Sequence, residues 1–199
     1  MPKLLIATEN KGKRRELQEL LSSLPGIELV LPSELGINLK VEETGSTYAG
    51  NAILKANAYC EASGMVTVAD DSGLEVYALN NAPGVLSSRY SGEGANDGKN
   101  IEKLLHEMRP LSDEERKARF VCCLSLAYPD GKIEIFTGHV EGRIGREPRG
   151  SHGFGYDPLF YPEGYGKTFA EMKAKEKDSL SHRGNALREF QKYLRRIFK

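Results

Sequence analysis

The chain of 199 residues is short of several things, and each shortage closes off a class of protein. Its three cysteines, Cys60, Cys122 and Cys123, make neither a disulfide framework nor a Cys/His metal spacing. Charge of one sign is lacking too: 28 Lys and Arg stand against 28 Asp and Glu, so no global field recruits nucleic acid or a membrane surface. No apolar run approaches the ~20 residues of a membrane span, and the N-terminus enters a strand directly. Neither a transmembrane segment nor a signal peptide is therefore expected, and a reducing, cytoplasmic setting is.

What is present suits a soluble globular protein: 39% hydrophobic and 28% charged residues, ample for one domain over 1–199 with two lobes sharing a cleft. Lys3 to Ala7 reads as a buried strand, followed by the turn Thr8-Glu9-Asn10-Lys11-Gly12-Lys13 with Asn10 as a helix N-cap. Leu17, Leu20, Leu21 and Leu24 give helical spacing up to Pro25-Gly26, and Ile27 to Leu31 reads as a second strand. A second helix is predicted from Thr47 to Ser63, with Asn51 and Lys55 on one face. Met65 to Ala69 reads as a short strand running into Asp70-Asp71-Ser72-Gly73. Taken alone that tetrapeptide is a strand-ending turn; in company it is a pair of acids able to hold a divalent metal and take a proton from water.

Further on, a Gly/Ser/Asn-rich loop is expected over 80–98, a helix from Asn100 to Met108, and a hairpin of Ala118–Tyr128 and Ile133–Val140 about Pro129-Asp130-Gly131. A glycine-rich loop spans Gly150 to Tyr156, and the last helix opens at Ser181. The fold class read from this order is α/β, a mixed central sheet with flanking helices and two lobes.

Two helices open with cations where the macrodipole favours acids: Lys11, Lys13, Arg14 and Arg15 in the first, His182 and Arg183 in the last. Each misplaced cation costs a few tenths of a kcal/mol up to ~1, unless an anion sits at the helix start. Surface lysines that tolerate the dipole are one reading, and a polyanionic ligand such as phosphate is the other. Familiar phosphate motifs fail: Glu93 stands where a Walker glycine is needed, and Asp97 replaces the third glycine of a dinucleotide fingerprint.

Several motifs occur together in one order. They are Thr8-x-Asn10-x-x-Lys13, Glu42-Glu43-Thr44-Gly45, Asn51-Ala52-x-x-Lys55-Ala56 and Ala69-Asp70-Asp71-Ser72-Gly73-Leu74. Ser88-Arg89-Tyr90-Ser91-Gly92, Gly153-Phe154-Gly155-Tyr156-Asp157-Pro158, Glu176-Lys177 and Ser181-His182-Arg183-Gly184 follow them. The chain thereby resembles the inosine/xanthosine triphosphate pyrophosphatase family, which removes deaminated purine nucleotides from the cellular pool.

The resemblance implies an elongated α/β fold with a central cleft and a homodimer. It also implies Mg²⁺-dependent cleavage of ITP, dITP or XTP to the nucleoside monophosphate and pyrophosphate. Residue by residue, it makes Thr8, Glu9, Asn10, Lys11, Gly12 and Lys13 the triphosphate cradle, with Glu9 turned away. Lys55 and Lys177 become further phosphate ligands, and Glu43 a metal ligand. Asp71 becomes the group acting on the attacking water, with Asp70 as a second metal candidate and Ser72 touching substrate. Phe154, Gly155, Tyr156 and Asp157, with His182 and Arg183, become the purine pocket. Which of Asp70 and Asp71 takes the proton stays open. Other readings are a nucleotide sensor without catalysis and a pyrophosphatase of different base preference. An RNA-binding domain is disfavoured by the balanced charge.

Overall fold

The computed structural model describes residues 2–22 and 26–197. In chain order its elements are strand β1 (Lys3–Ile6), helix α1 (Lys11–Leu21), β2 (Glu28–Val30), α2 (Tyr48–Ser63), β3 (Thr67–Val76) and β4 (Ala82–Pro83). They continue with α3 (Asp97–Glu107), β5 (Lys117–Ala127), β6 (Ile133–Ile144), β7 (Phe160–Pro162), α4 (Ala174–Leu180) and α5 (His182–Ile197). Among the described residues the strands hydrogen-bond in the order β2-β1-β3-β5-β6-β7, with β4 on β3. Parallel pairing of β1 with β2 and β3, beside antiparallel β3–β4 and β6–β7, makes the sheet mixed. The fold is thus α/β as expected.

The chain divides into two compact units, residues 1–71, 122–138 and 183–199 in the first, and 72–121 and 139–182 in the second. In the first unit the alternation of β1 and β3 builds two apolar layers. Leu4, Ile6 and Val68 join Leu17 and Leu21 of α1 and Leu187, Phe190 and Leu194 of α5. Leu5, Ala7 and Ala69, pointing the other way, join Ala56, Tyr59 and Cys60 of α2. In the second unit Leu74, Val76, Phe120, Tyr156, Phe160 and Phe169 form a core with Leu104 and Met108 of α3. Arg116 is buried there, and its guanidinium donates to the carbonyls of Met108, Ile144 and Gly145.

The main correction to the sequence reading concerns Asp70-Asp71-Ser72-Gly73. No turn forms; β3 runs through it as one strand of 10 residues. Turn propensity gives way because each carboxylate finds partners on its own face of the sheet, Lys13 and Arg183 for Asp70, Asn51 and Lys55 for Asp71. Smaller differences have local causes. α3 starts at Asp97, capped by Asn96, whose side chain accepts the Lys99 N–H at 3.0 Å. The expected loop over 80–98 contains β4 and a 3-10 helix, Gly84–Arg89. β6 continues to Ile144, and α4 was not legible as a separate helix. Leu24 and Pro25, expected to end the first helix, lie outside the described residues.

Candidate active site

Within the first unit, charged side chains gather at the two carboxylates of β3. Asp70 lies on the face that carries α1 and α5. Its Oδ2 is 3.2 Å from Lys13 Nζ and 3.0 Å from Arg183 Nη2. Arg183 also donates, through Nη1, to Glu16. Burial alone would raise the Asp70 pKa, but Lys13, then Arg183 and Lys55, outweigh it and hold the acid well below the usual carboxylate range. Arg183 shows the complement: burial works against its charge, and Asp70 and Glu16 push its pKa up regardless.

Asp71 faces α2. Its Oδ2 accepts a hydrogen bond from Asn51 Nδ2 at 3.1 Å, and its Oδ1 lies 3.7 Å from Lys55 Nζ. Lys55 Nζ is also 2.5 Å from Glu43 Oε1. Here burial, the largest influence, raises the Asp71 pKa; Lys55 and Lys13 draw it down, Glu43 pushes it up, and the net shift is upward. For Lys55 burial is again the largest influence and lowers it, but Asp70, Asp71 and Glu43 together leave it raised. Two adjacent acids thus carry opposite shifts, as acids with different tasks do.

The turn before α1 is shaped by Asn10, whose Oδ1 accepts the Lys13 N–H at 3.0 Å. That bond fixes the helix start and sets Lys11 and Lys13 in its first turn. Glu9 turns towards Tyr59, whose hydroxyl is pushed up by burial and then by Glu9, and which donates to the Leu39 carbonyl at 2.8 Å. Thr8 is half-buried beside it.

A divalent metal would find hard oxygen donors in Glu43 and Asp71. Both approach one ammonium, Lys55, so two carboxylates already converge on a single cationic position. Among the described residues no three His, Cys, Asp or Glu side chains form a metal cage. The donor set fits Mg²⁺, which takes one or two carboxylates and completes its shell with water and substrate phosphate.

The second unit holds the glycine-rich loop. Asp157 is buried and organises it: Oδ2 accepts the Phe154 N–H at 3.0 Å and pairs with Lys177 Nζ at 2.5 Å. That ammonium also lies 5.0 Å from the Phe154 ring centroid, a cation–π distance. Asp97 Oδ2 accepts the Gly155 N–H at 2.7 Å, tying the loop to the start of α3. Tyr156 points inward and donates to the Ser87 carbonyl at 2.9 Å, which Asn100 Nδ2 also reaches, at 3.3 Å. His182 is buried and stacks on Phe120, centroids 4.7 Å apart and planes within 12°. Ser72 is half-buried on β3.

Set beside the sequence expectations, the first unit brings Lys13, Glu43, Lys55, Asp70, Asp71 and Arg183 into one cluster. In the second, Phe154, Gly155, Asp157 and Lys177 come together at the glycine-rich loop. Arg183 is 1% exposed and paired with Asp70 and Glu16. Tyr156 is a core residue, which leaves Phe154 as the half-buried ring of the loop. The anion at the start of α5 is the protein's own: Asp70 and Glu16 face Arg183, and Asp70 also faces Lys13 of α1. Sequence reasoning missed Glu16, although an acid on the apolar face beside Leu17 was a visible signal. It also missed the tethers Asp97 and Asn100, which carry no signal beyond their capping chemistry.

Comparison with known proteins completes the description. The model of the Ham1 family matches residues 4–193. A Thermus thermophilus protein named dITP/XTP pyrophosphatase is 53% identical over 94% of this chain and 88% of its own length. A Bacillus subtilis protein of the same name is 44% identical over 98% of each. The solved structure of a HAM1 protein from Coxiella burnetii aligns with TM-score 0.89 and 42% identity over 98% of this chain and 100% of that one. The Ham1 protein of Staphylococcus aureus gives 0.87 and 42%, over 97% and 98%.

Proposed function

We propose that this chain, which belongs to the Ham1 family, hydrolyses deaminated purine nucleoside triphosphates (ITP, dITP, XTP) to the monophosphate and pyrophosphate. The observation that carries the proposal is Asp71: a buried acid with raised pKa, flanked by Lys55 and Glu43. It lies in a chain alike over nearly its whole length to proteins named for this activity. Mg²⁺ dependence, a homodimer and a cytoplasmic setting belong to the same proposal.

The geometry supports the following roles. Attack at the α-phosphorus demands positioning and charge stabilisation more than covalent chemistry. Lys13 and the first turn of α1 receive phosphate oxygens, and Lys55 moves from Glu43 to a phosphate oxygen as substrate arrives. Asp70, shared by two cations, keeps Arg183 when Lys13 turns to phosphate, so its buried charge stays compensated. Asp71 orients the attacking water and accepts its proton, for which a raised pKa suits a general base. A metal held by Glu43 and Asp71 would supply charge neutralisation and a more acidic water.

Base choice rests on the second unit. Phe154 offers a face for the purine ring, and Lys177 beside it offers a donor for the 6-oxo group, which adenine lacks. Guanine shares that oxo group, so its rejection falls to the 2-amino group, which hypoxanthine and xanthine lack. The test is pyrophosphate release from a panel of triphosphates with MgCl₂. Release from ITP, dITP and XTP, far above ATP and GTP, is the expected result, and equal hydrolysis of GTP would remove this account of selectivity. A sensor without catalysis would bind dITP and release no pyrophosphate.

A further inference from the structure

The motif Asn51-Ala52-x-x-Lys55 contributes Lys55 to the chemistry above, while Asn51 has no task in it. Asn51 is fully buried at 0% exposure, yet both ends of its amide are engaged. Nδ2 donates to Asp71 Oδ2 at 3.1 Å, and Oδ1 accepts the Gly45 N–H at 2.8 Å. Gly45 follows Glu43 by two residues, so one side chain links the segment carrying Glu43 to the carboxylate of Asp71. The approach is close: a Cβ on Gly45 would lie 2.6 Å from Asn51 Oδ1. Thr47 adds rigidity at the start of α2, where its side chain accepts the Gly50 N–H at 3.0 Å.

We propose that Asn51 is a positioning residue for Asp71, and that Gly45 is a glycine because Asn51 must reach its backbone. The inference rests on the function proposed above. Held by Nδ2, the Asp71 carboxylate keeps Oδ2 on Asn51 and turns Oδ1 to the Lys55 side, towards water and substrate. An amide suits this place and an acid does not. Aspartate at position 51 would still accept the Gly45 N–H, but it would present a like charge to Asp71 where a donor is needed. The bond acts on the orientation of a reacting group and not on the nucleotide, so its loss reads in kcat rather than in KM.

The test uses three variants: Asn51→Asp, Asn51→Ala and Gly45→Ala, the last leaving Asn51 in place and displacing its amide. Pyrophosphate release from dITP gives kcat and KM. Binding of a non-hydrolysable dITP analogue gives Kd, and thermal unfolding reports on folding. For both Asn51 variants kcat falls about 10²-fold, the scale of a misplaced reacting group, while Kd stays near wild type. Gly45→Ala falls in the same direction by a smaller factor. Asn51→Asp with wild-type kcat would overturn the proposal. So would kcat, binding and unfolding temperature all falling together in the three variants, since that marks a merely structural residue. Wild type is assayed alongside. A wild type that releases no pyrophosphate removes the proposed function and this inference with it, whereas an active wild type with an equally active Asn51→Asp removes the inference alone.

Discussion

Asp70 and Asp71 are consecutive in β3, yet strand alternation sends one carboxylate to α1 and α5 and the other to α2. On the first face, two acids and two bases (Asp70, Glu16, Lys13, Arg183) close a buried, charge-balanced group. On the second, Asp71 and Glu43 share one lysine, and Asp71 is left with a raised pKa. The first is an arrangement for holding a structure and two helix starts in place. The second sets two acids on one lysine, the arrangement that the proposed function uses for Mg²⁺ and phosphate. Neighbouring residues of one type thus divide the work because the pleat gives them different company.

Removing each acid in turn breaks the comparison most sharply. Asp71→Asn should lower the rate of pyrophosphate release from dITP by about 10²–10⁴-fold, the range for loss of a general base. Its unfolding temperature should stay level or rise, because the change removes a charge that burial disfavours. Asp70→Asn should do the reverse first: breaking one side of a buried ion-pair group costs about 3–5 kcal/mol of stability, read by denaturant unfolding. Any loss of activity there follows from the loosened Lys13.

The pH dependence of the two should differ in sign. Asp70 titrates lower in the folded chain than in the unfolded one. Its stabilisation is therefore complete at neutral pH and is lost as pH falls below about 4 towards its folded value. The stability gap between wild type and Asp70→Asn should accordingly narrow in acid. Asp71 titrates higher in the folded chain, so its ionisation weakens folding at neutral pH, and that cost fades as pH falls through the raised value.

Smaller effects sharpen the same contrast in the second unit. Phe154→Ala should raise KM for dITP by about 10-fold, in line with ~1–3 kcal/mol for a base stacked on an aromatic ring. Tyr156→Phe should cost about 1 kcal/mol of stability, one buried hydrogen bond to the Ser87 carbonyl, and leave KM nearly unchanged.

Much of the fold was legible because it rests on local rules. The Asn10 and Thr47 caps, the apolar face of α1 and the Pro129-Asp130-Gly131 turn are each written in a few adjacent residues. The run from Asp70 to Gly73 was misread for the opposite reason. Its turn propensity is local, while the cations that let it continue as a strand lie at positions 13, 55 and 183. Arg183 and Tyr156 show the same limit from the other side. Sequence marks them as polar residues inside motifs, and only packing shows Arg183 buried between acids and Tyr156 in the core.

The central claim is that water, acted on by Asp71, attacks the α-phosphorus. It is tested most directly by hydrolysing dITP to completion in heavy-oxygen water and weighing both products. The account predicts one heavy oxygen in the nucleoside monophosphate and none in the pyrophosphate. Heavy oxygen in the pyrophosphate would place the attack on the β-phosphorus and contradict it.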